Sequence, residues 1–307
     1  MIYDLAIIGG GPAGVGAGVY AARKKIKTVF ITDTFASQST VSENIQNWIG
    51  AVSIKGQDLT DQLEKHLRSY AGDVVDIKIK ERAIDISKKE EMFVIKTNKS
   101  EYEAKTVLIT TGSSRKKLTV KGADIFENKG ITYCATCDAP LFADMDLAVI
   151  GGGNSAFESA AQLLAYGKSV AILARSEFKA DPVTVHMVEA DKKVTALSNI
   201  ELVEIKGDQF VTGLVYKDKK TGEIKELPVT GIFVEIGANP SIDFIRNGIV
   251  KLNGIDEIVT DPKTQMTTQT GIWAAGDCTD GLYKQNNIAV GDAIKALENI
   301  YIYLKTK

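Results

Sequence analysis

The residues best suited to chemistry are Tyr133-Cys134-Ala135-Thr136-Cys137-Asp138-Ala139-Pro140. Two of the chain's three cysteines lie in this stretch, with two residues between them and a carboxylate directly after the second. A helical turn with that spacing brings two sulfurs within disulfide reach. A thiol at a helix start has its thiolate favoured by the local dipole, which lowers its pKa. If the second cysteine sits near a helix start, its thiolate is the one favoured, and Asp138 is then a candidate proton carrier. Half of a zinc site and a purely structural pair are the competing readings. Zinc asks for about four ligands. Beyond this pair only Cys278, His66 and His186 offer nitrogen or sulfur donors, and no second paired motif exists. The spacing therefore points to redox chemistry, and no metal is expected.

Such a dithiol needs an electron source, and the flanking sequence supplies a candidate. Leu5 to Ile8 is a short apolar run of the kind that forms a buried parallel strand. Gly9-Gly10-Gly11-Pro12-Ala13-Gly14 follows, then an Ala-rich helical stretch through Ala22 and a second strand, Lys27–Thr32, ending at Asp33. The glycines have the spacing of a dinucleotide fingerprint. Gly9 permits the turn, Gly11 lets backbone approach a pyrophosphate, and Gly14 lets helix and strand pack closely. The helix N-terminus offers the anion site. Asp33, about 20 residues on, stands where a ribose hydroxyl is usually bound. Thr106–Thr110 reads as a further core strand closing at Thr111-Gly112, and Gly112 joins the cofactor-binding candidates.

The pattern then repeats. Leu147–Ile150 is a strand, Gly151-Gly152-Gly153-Asn154-Ser155-Ala156 a second glycine loop, a helix runs to about Tyr166, and Ser169–Leu173 is another strand. Two fingerprints imply an α/β chain with two doubly wound, Rossmann-like dinucleotide-binding domains, the dithiol at the head of the second. Leu59, Leu63 and Leu67 share one face of a helix that includes His66; residues 77–96 alternate as paired strands; residues 287–303 read as a helix. His66 and His186 are expected as ordinary helix residues. Cys278 is expected as a small packing residue.

The 307 residues carry a formal net charge of −2 and 44% hydrophobic residues. That size suits about two domains. The balance gives no nucleic-acid face, and no apolar run approaches the roughly 18 residues of a membrane span. The start enters a strand directly, with no basic-then-apolar leader. Few cysteines and a working dithiol suggest a cytoplasmic protein.

Over essentially its whole length the chain resembles the low-molecular-weight thioredoxin reductases. The matching stretches, in the family's order, are Gly9–Gly14, Asn47-Trp48-Ile49-Gly50, Cys134-Ala135-Thr136-Cys137-Asp138, Gly151–Ala156 and Gly276-Asp277. The resemblance implies a homodimer with FAD in a discontinuous domain, 1–113 and 244–307. Residues 114–243 would be an inserted NAD(P)H-binding-like domain carrying the Cys pair. It implies that Gly9, Gly11, Pro12, Ala13 and Gly14 cradle the pyrophosphate. Gln38, Asn47, Lys284 and Gln285 match positions near the flavin, and Gly276 and Asp277 hold the ribityl-phosphate region. Cys137 would face the flavin, Cys134 would attack the disulfide of a thioredoxin, and Asp138 would be the acid–base residue. Before Asn47 the family has Gly-Gly-Gln, where this chain has Ala36-Ser37-Gln38.

The second departure bears on the electron donor. NADPH-dependent members carry His-Arg-Arg-x-x-x-Arg after the second strand of the inserted domain, arginines that grip a 2′-phosphate bidentately. Here the stretch is Ala174-Arg175-Ser176-Glu177-Phe178-Lys179. The carboxylate that NADH would want at the strand end is replaced by Ala174, with Glu177 close by. The pattern resembles the ferredoxin-dependent flavin thioredoxin reductases, which implies reduced ferredoxin as donor and NADPH as an unfavoured one. Ferredoxins are acidic, so a basic docking face is expected, with Arg23-Lys24-Lys25 and Arg115-Lys116-Lys117 as candidates. The competing readings are a nicotinamide donor bound through Arg175 and Lys179, and a flavin redox sensor without efficient turnover.

Overall fold

The computed structural model describes residues 1–42 and 44–306. The chain divides into two compact units, residues 1–114 with 239–307 and residues 115–238.

The first unit opens with β1 (Ile2–Ile8), α1 (Pro12–Arg23), β2 (Thr28–Thr32), α2 (Gly56–Ala71) and β3 (Val75–Ile79). A meander of β4 (Ala83–Lys89), β5 (Met92–Thr97) and β6 (Glu101–Ile109) follows. β3, β2, β1 and β6 lie side by side and parallel, and β5 and β4 continue the sheet antiparallel from β6. Alternate side chains of a strand face opposite sides, and the core divides accordingly. Leu5, Ile7, Phe30 and Leu108 pack under α1 and α2, whereas Ala6, Ile8, Val29 and Ile109 face the other layer. Gly9 has φ of +119°, and a Cβ on Gly14 would stand 1.9 Å from the Gly9 carbonyl oxygen. Only glycine allows this turn and this approach of α1 to β1.

The chain leaves along β7 (Ser113–Arg115). The second unit contains β8 (Ile131–Thr132), α3 (Ala135–Asp138), β9 (Asp146–Ile150), α4 (Asn154–Leu163), β10 (Ser169–Leu173), α5 (Pro182–Glu189) and β11 (Val194–Leu197). Then come β12 (Ile200–Gly207), β13 (Val211–Asp218), β14 (Ile224–Leu227) and β15 (Gly231–Val234). Its parallel sheet has the order β11-β10-β9-β15-β8. α4 and α5 cover one face, over Leu147, Val149, Ile172 and Phe233. The other face, including Ile150, Leu173 and Ile232, is covered by the antiparallel trio β12–β14 rather than by a helix.

The chain returns along β16 (Ala238–Pro240), which pairs with β7. It finishes the first unit with β17 (Ile272–Ala274), parallel to β6, and α6 (Asn286–Thr306). The return crossing falls at Ala238/Asn239, five residues before the expected 243/244. Ile242 accounts for the shift, because it is buried in the first unit's core together with Phe244 and Ile245. The polar stretch Ser113–Lys117 has the composition of a linker, yet its first three residues form a strand.

Phe157 is fully buried and meets the Phe178 ring edge-on at 5.0 Å between centroids. Phe157→Ala should cost about 3–5 kcal/mol, read as an earlier urea unfolding transition of the second unit.

Candidate functional site

The dithiol turn is built by α3 against the second unit's core. Cys134 is extended, with φ of −145° and ψ of 99°, and forms the N-cap. Its carbonyl accepts the N–H groups of Cys137 (3.2 Å) and Asp138 (3.0 Å). Its sulfur accepts the Cys137 N–H at 3.2 Å. The two cysteines form a disulfide with Cα atoms 5.3 Å apart. The residue that caps the helix start is therefore Cys134, and Cys137 lies within the turn, because the helix begins at Ala135. When the pair is reduced, the amide that faces Cys134 Sγ favours a thiolate there. Ala135 and Ala139 anchor the turn in the core.

Asp138 closes the turn. Burial pushes its carboxyl above the ordinary carboxylate range, and a hydrogen bond from the Thr132 hydroxyl pulls in the opposite direction. Asp138 directly follows Cys137, so its carboxyl is the candidate to move the proton in thiol chemistry. The adjacent Tyr133 donates to Glu127 at 2.8 Å.

In the first unit, several expected cofactor positions gather at the ends of β1 and β6. Gly11 is the N-cap of α1, and a Cβ there would meet only Ser37 Cβ, at 3.9 Å. Pro12 is the first residue of the helix, and Ala13 lies beneath Gly276, whose φ is +79°. Gly112, with φ of +65°, would place a Cβ in open space. Beside it Thr111 Oγ1 is buried with no partner beyond the weak Cys278 thiol. Gln38 Nε2 donates to the Ser113 carbonyl at 2.6 Å and reaches Asp277 Oδ2 at 3.4 Å. Asn47 Nδ2 donates to Gln285 Oε1 at 3.0 Å. An open glycine track at a helix N-terminus, a buried hydroxyl lacking a strong partner and a carboxylate opposite it fit a phosphate-bearing dinucleotide such as FAD.

Two expected positions have other engagements. Asp33 is ion-paired with Arg82 at 3.2 Å, both side chains well exposed. Lys284 is held by Glu257 at 2.9 Å and by the Thr279 carbonyl. Cys278 is fully buried, and burial pushes its thiol up to about 11, so it is not a nucleophile at neutral pH.

The second glycine loop is only partly a packing feature. A Cβ on Gly152 would stand 2.7 Å from Ala174 Cβ, whereas one on Gly153 would meet nothing within 4 Å. After β10, Ala174 is buried and pinned in the sheet, its N–H bonded to the Leu197 carbonyl at 2.8 Å. Glu177 accepts from Asn199 Nδ2 at 2.6 Å and lies 3.6 Å from Lys220. These contacts, Asn199 first, hold its carboxyl below the ordinary range. A carboxylate therefore stands beside Arg175, where a 2′-phosphate grip would need cations.

Sequence reasoning missed Glu235, although a charge ending the apolar run Gly231–Val234 was a signal. It follows β15, its side chain is 8% exposed, and it accepts from Ser159 Oγ at 2.7 Å with Arg115 at 3.9 Å. Burial pushes its carboxyl up. Thr111 and Thr132 were missed too, since an isolated threonine carries no sequence signal. Both proposed basic runs are partly neutralised: Lys24 pairs with Glu298 at 3.0 Å, Arg115 with Glu235, and Lys117 with Glu127 at 2.9 Å. Among the described residues, no cluster of three or more His, Cys, Asp or Glu is placed to hold a metal ion. Nor is any helix among them long and apolar enough to cross a membrane.

The family model for pyridine nucleotide-disulphide oxidoreductases matches residues 3–293. The chain is 38% identical over 303 residues to an NADH dehydrogenase of Bacillus subtilis (strain 168), covering 98% of this chain and 58% of that protein. It is 37% identical over 305 residues to an alkyl hydroperoxide reductase component of Escherichia coli (strain K12), again covering 98% of this chain and 58% of the relative. The chain thus spans well under two thirds of the length of these curated relatives. Among solved structures, thioredoxin reductase from Streptococcus pyogenes MGAS5005 superposes with a TM-score of 0.90 at 30% identity, covering 100% of this chain and 99% of that one. Thioredoxin reductase from Giardia duodenalis does so with a TM-score of 0.93 at 29% identity, covering 99% of each.

Because Gly11 faces open space and has no left-handed backbone, Gly11→Val is compatible with the fold but obstructs the glycine track. The variant should keep its far-ultraviolet circular dichroism and retain FAD about tenfold less well or worse, read as flavin absorbance per chain after dialysis.

Proposed function

Because the chain belongs to the pyridine nucleotide-disulphide oxidoreductase family, whose members depend on FAD, we propose that it reduces a thioredoxin through Cys134 and Cys137. The observation that carries this reading is the turn itself: a disulfide in one helical turn, with an amide aimed at one sulfur and a buried carboxyl directly after the other. The solved thioredoxin reductases that share the fold along both full chains support thioredoxin as the partner class. We take the working form to be a homodimer.

FAD, when bound, would supply an electron pair to the disulfide, and Gly9, Gly11, Gly14, Gly112, Gln38 and Asp277 would hold it. The remaining chemistry belongs to the protein's own groups. The reduced pair presents Cys134 as thiolate, favoured by the Cys137 amide. Cys134 attacks one partner sulfur to form a mixed disulfide. Asp138 gives a proton to the leaving sulfur. Cys137 then attacks Cys134, re-forming the protein disulfide and freeing the partner as a dithiol.

For the donor we propose reduced ferredoxin. The support is the segment after β10, where Ala174 is buried and a carboxylate, Glu177, follows Arg175 in place of further arginines. A second reading, NADH, is favoured by the open Gly153, by Glu177 as an acceptor near the strand end, and by the relative named NADH dehydrogenase.

An anaerobic assay separates them. Reduced ferredoxin should bleach the flavin and, with oxidised thioredoxin present, yield thiols; NADPH should do neither. Fast bleaching by micromolar NADH with none by ferredoxin would replace the first donor with the second. Cys134→Ser should still accept electrons at the flavin and lose thiol production by at least about a hundredfold; unchanged thiol output would remove the dithiol from the reaction.

A further inference from the structure

We propose that Thr132 is a positioning residue for the acid–base step, tying the Asp138 carboxyl to the central sheet of its unit while the Cys134–Cys137 bond opens and closes. This rests on the dithiol reading above and assigns it a residue that no sequence motif marks.

The geometry is specific. Thr132 is the last residue of β8, and its register is fixed by pairing with β15, Ile131 opposite Ile232 and Thr132 opposite Phe233. Phe233 is fully buried. The strand is thus anchored independently of the redox turn. From there the Thr132 hydroxyl donates to Asp138 Oδ2, across the six residues that contain both cysteines. Asp138 sits at the end of α3, and its own backbone N–H bonds to the Cys134 carbonyl. The Thr132 bond links the acid to a part of the fold that does not change covalently.

Among the described residues, Thr132 is the partner that favours the charged carboxyl. Burial raises the Asp138 pKa and Thr132 lowers it. Charged groups on neighbouring elements are engaged elsewhere. Glu127, before β8, takes Tyr133 and Lys117. Glu235, after β15, takes Ser159 and Arg115. On α4, which packs on α3, Glu158 is exposed, and Gln162 accepts from Thr136 at 2.9 Å. The short helix after Asp138, Ala139–Phe142, carries no charge.

The proton balance shows what the tether serves. The reduced turn starts with a Cys134 thiolate, a Cys137 thiol and a protonated Asp138. Cys134 bonds to one partner sulfur as the partner's S–S bond breaks, and the leaving sulfur takes the Asp138 proton. The Asp138 carboxylate then receives the Cys137 proton as Cys137 attacks Cys134. The second partner sulfur leaves and takes that proton. Two protein thiol groups have become a disulfide, the partner disulfide has become two thiols, and Asp138 ends as carboxylate. The acid must therefore both give and take a proton in one cycle, which needs a fixed carboxyl and a stabilised charged form.

The first test needs no turnover. The carboxyl band of Asp138 in the oxidised holoenzyme, identified by its loss in Asp138→Asn, is titrated by infrared difference spectroscopy. Thr132→Val should move the midpoint to higher pH, since the carboxylate loses its donor, and Thr132→Ser should restore it. The second test follows single turnovers of dithionite-reduced holoenzyme with two small disulfides. A dialkyl disulfide has a basic leaving thiolate that needs the acid, and an aromatic one does not. Thr132→Val should slow the dialkyl reaction about tenfold or more, push the pH at which it declines upward, and spare the aromatic one. An unmoved midpoint, or equal slowing of both disulfides, would overturn the proposal. If the midpoint moves but reduced wild-type protein leaves thioredoxin oxidised, the partner reading fails and the Thr132 tether stands.

Discussion

The peptide N–H of Cys137 points at Cys134 Sγ, 3.2 Å away, and this contact sets the terms for the rest of the molecule. It makes the two sulfurs unequal. Cys134 is extended and stands before the turn; Cys137 lies within it. A charge on Cys134 is met by a hydrogen bond already in place, so little reorganisation accompanies reduction of the pair. The turn is held by carbonyl bonds to the Cys134 backbone and by two buried alanines. The acid that serves it is oriented from a neighbouring strand. Position, charge and proton supply are thus each fixed by a different element.

The two glycine loops show one supersecondary unit put to different ends. In both, the first glycine has positive φ and abuts backbone, Gly9 against Thr110 and Gly151 against the Glu235 carbonyl. In both, the helix N-cap is an open glycine, Gly11 and Gly153. They differ in what surrounds the loop. Around the first lie Gln38, which reaches Asp277, and the buried Thr111 hydroxyl. Around the second lie Ala174, pinned in the sheet, and Glu177, already bound by Asn199 and Lys220. The backbone turn is alike in the two places, and the side chains around it differ.

Much of this was legible in the sequence, for physical reasons. Glycine spacing reports backbone that must approach closely, and the runs Leu5–Ile8 and Leu147–Ile150 report strands buried on both faces. The Rossmann-like α/β fold follows from these repeats, and the long match to thioredoxin reductase structures agrees with it. Other features have no local signature. Cys134 rather than Cys137 caps the turn because the helix starts at Ala135, a boundary that spacing alone does not fix. Ser113–Arg115 looks like a polar linker and is a strand only because Ala238–Pro240 returns beside it. Ile242 belongs to the first unit because of what it packs against, and the sequence does not show that. Asp33 has the expected spacing, yet Arg82, nearly fifty residues away, holds it.

The central claim is that Cys134 is the sulfur that meets the partner. It is tested most directly by mixing dithionite-reduced Cys137→Ser and Cys134→Ser proteins with oxidised thioredoxin and identifying the quenched adducts by mass spectrometry. The account predicts a stable mixed disulfide between Cys134 and thioredoxin in the Cys137→Ser protein, and no comparable adduct in Cys134→Ser. A mixed disulfide that forms through Cys137 instead would contradict it.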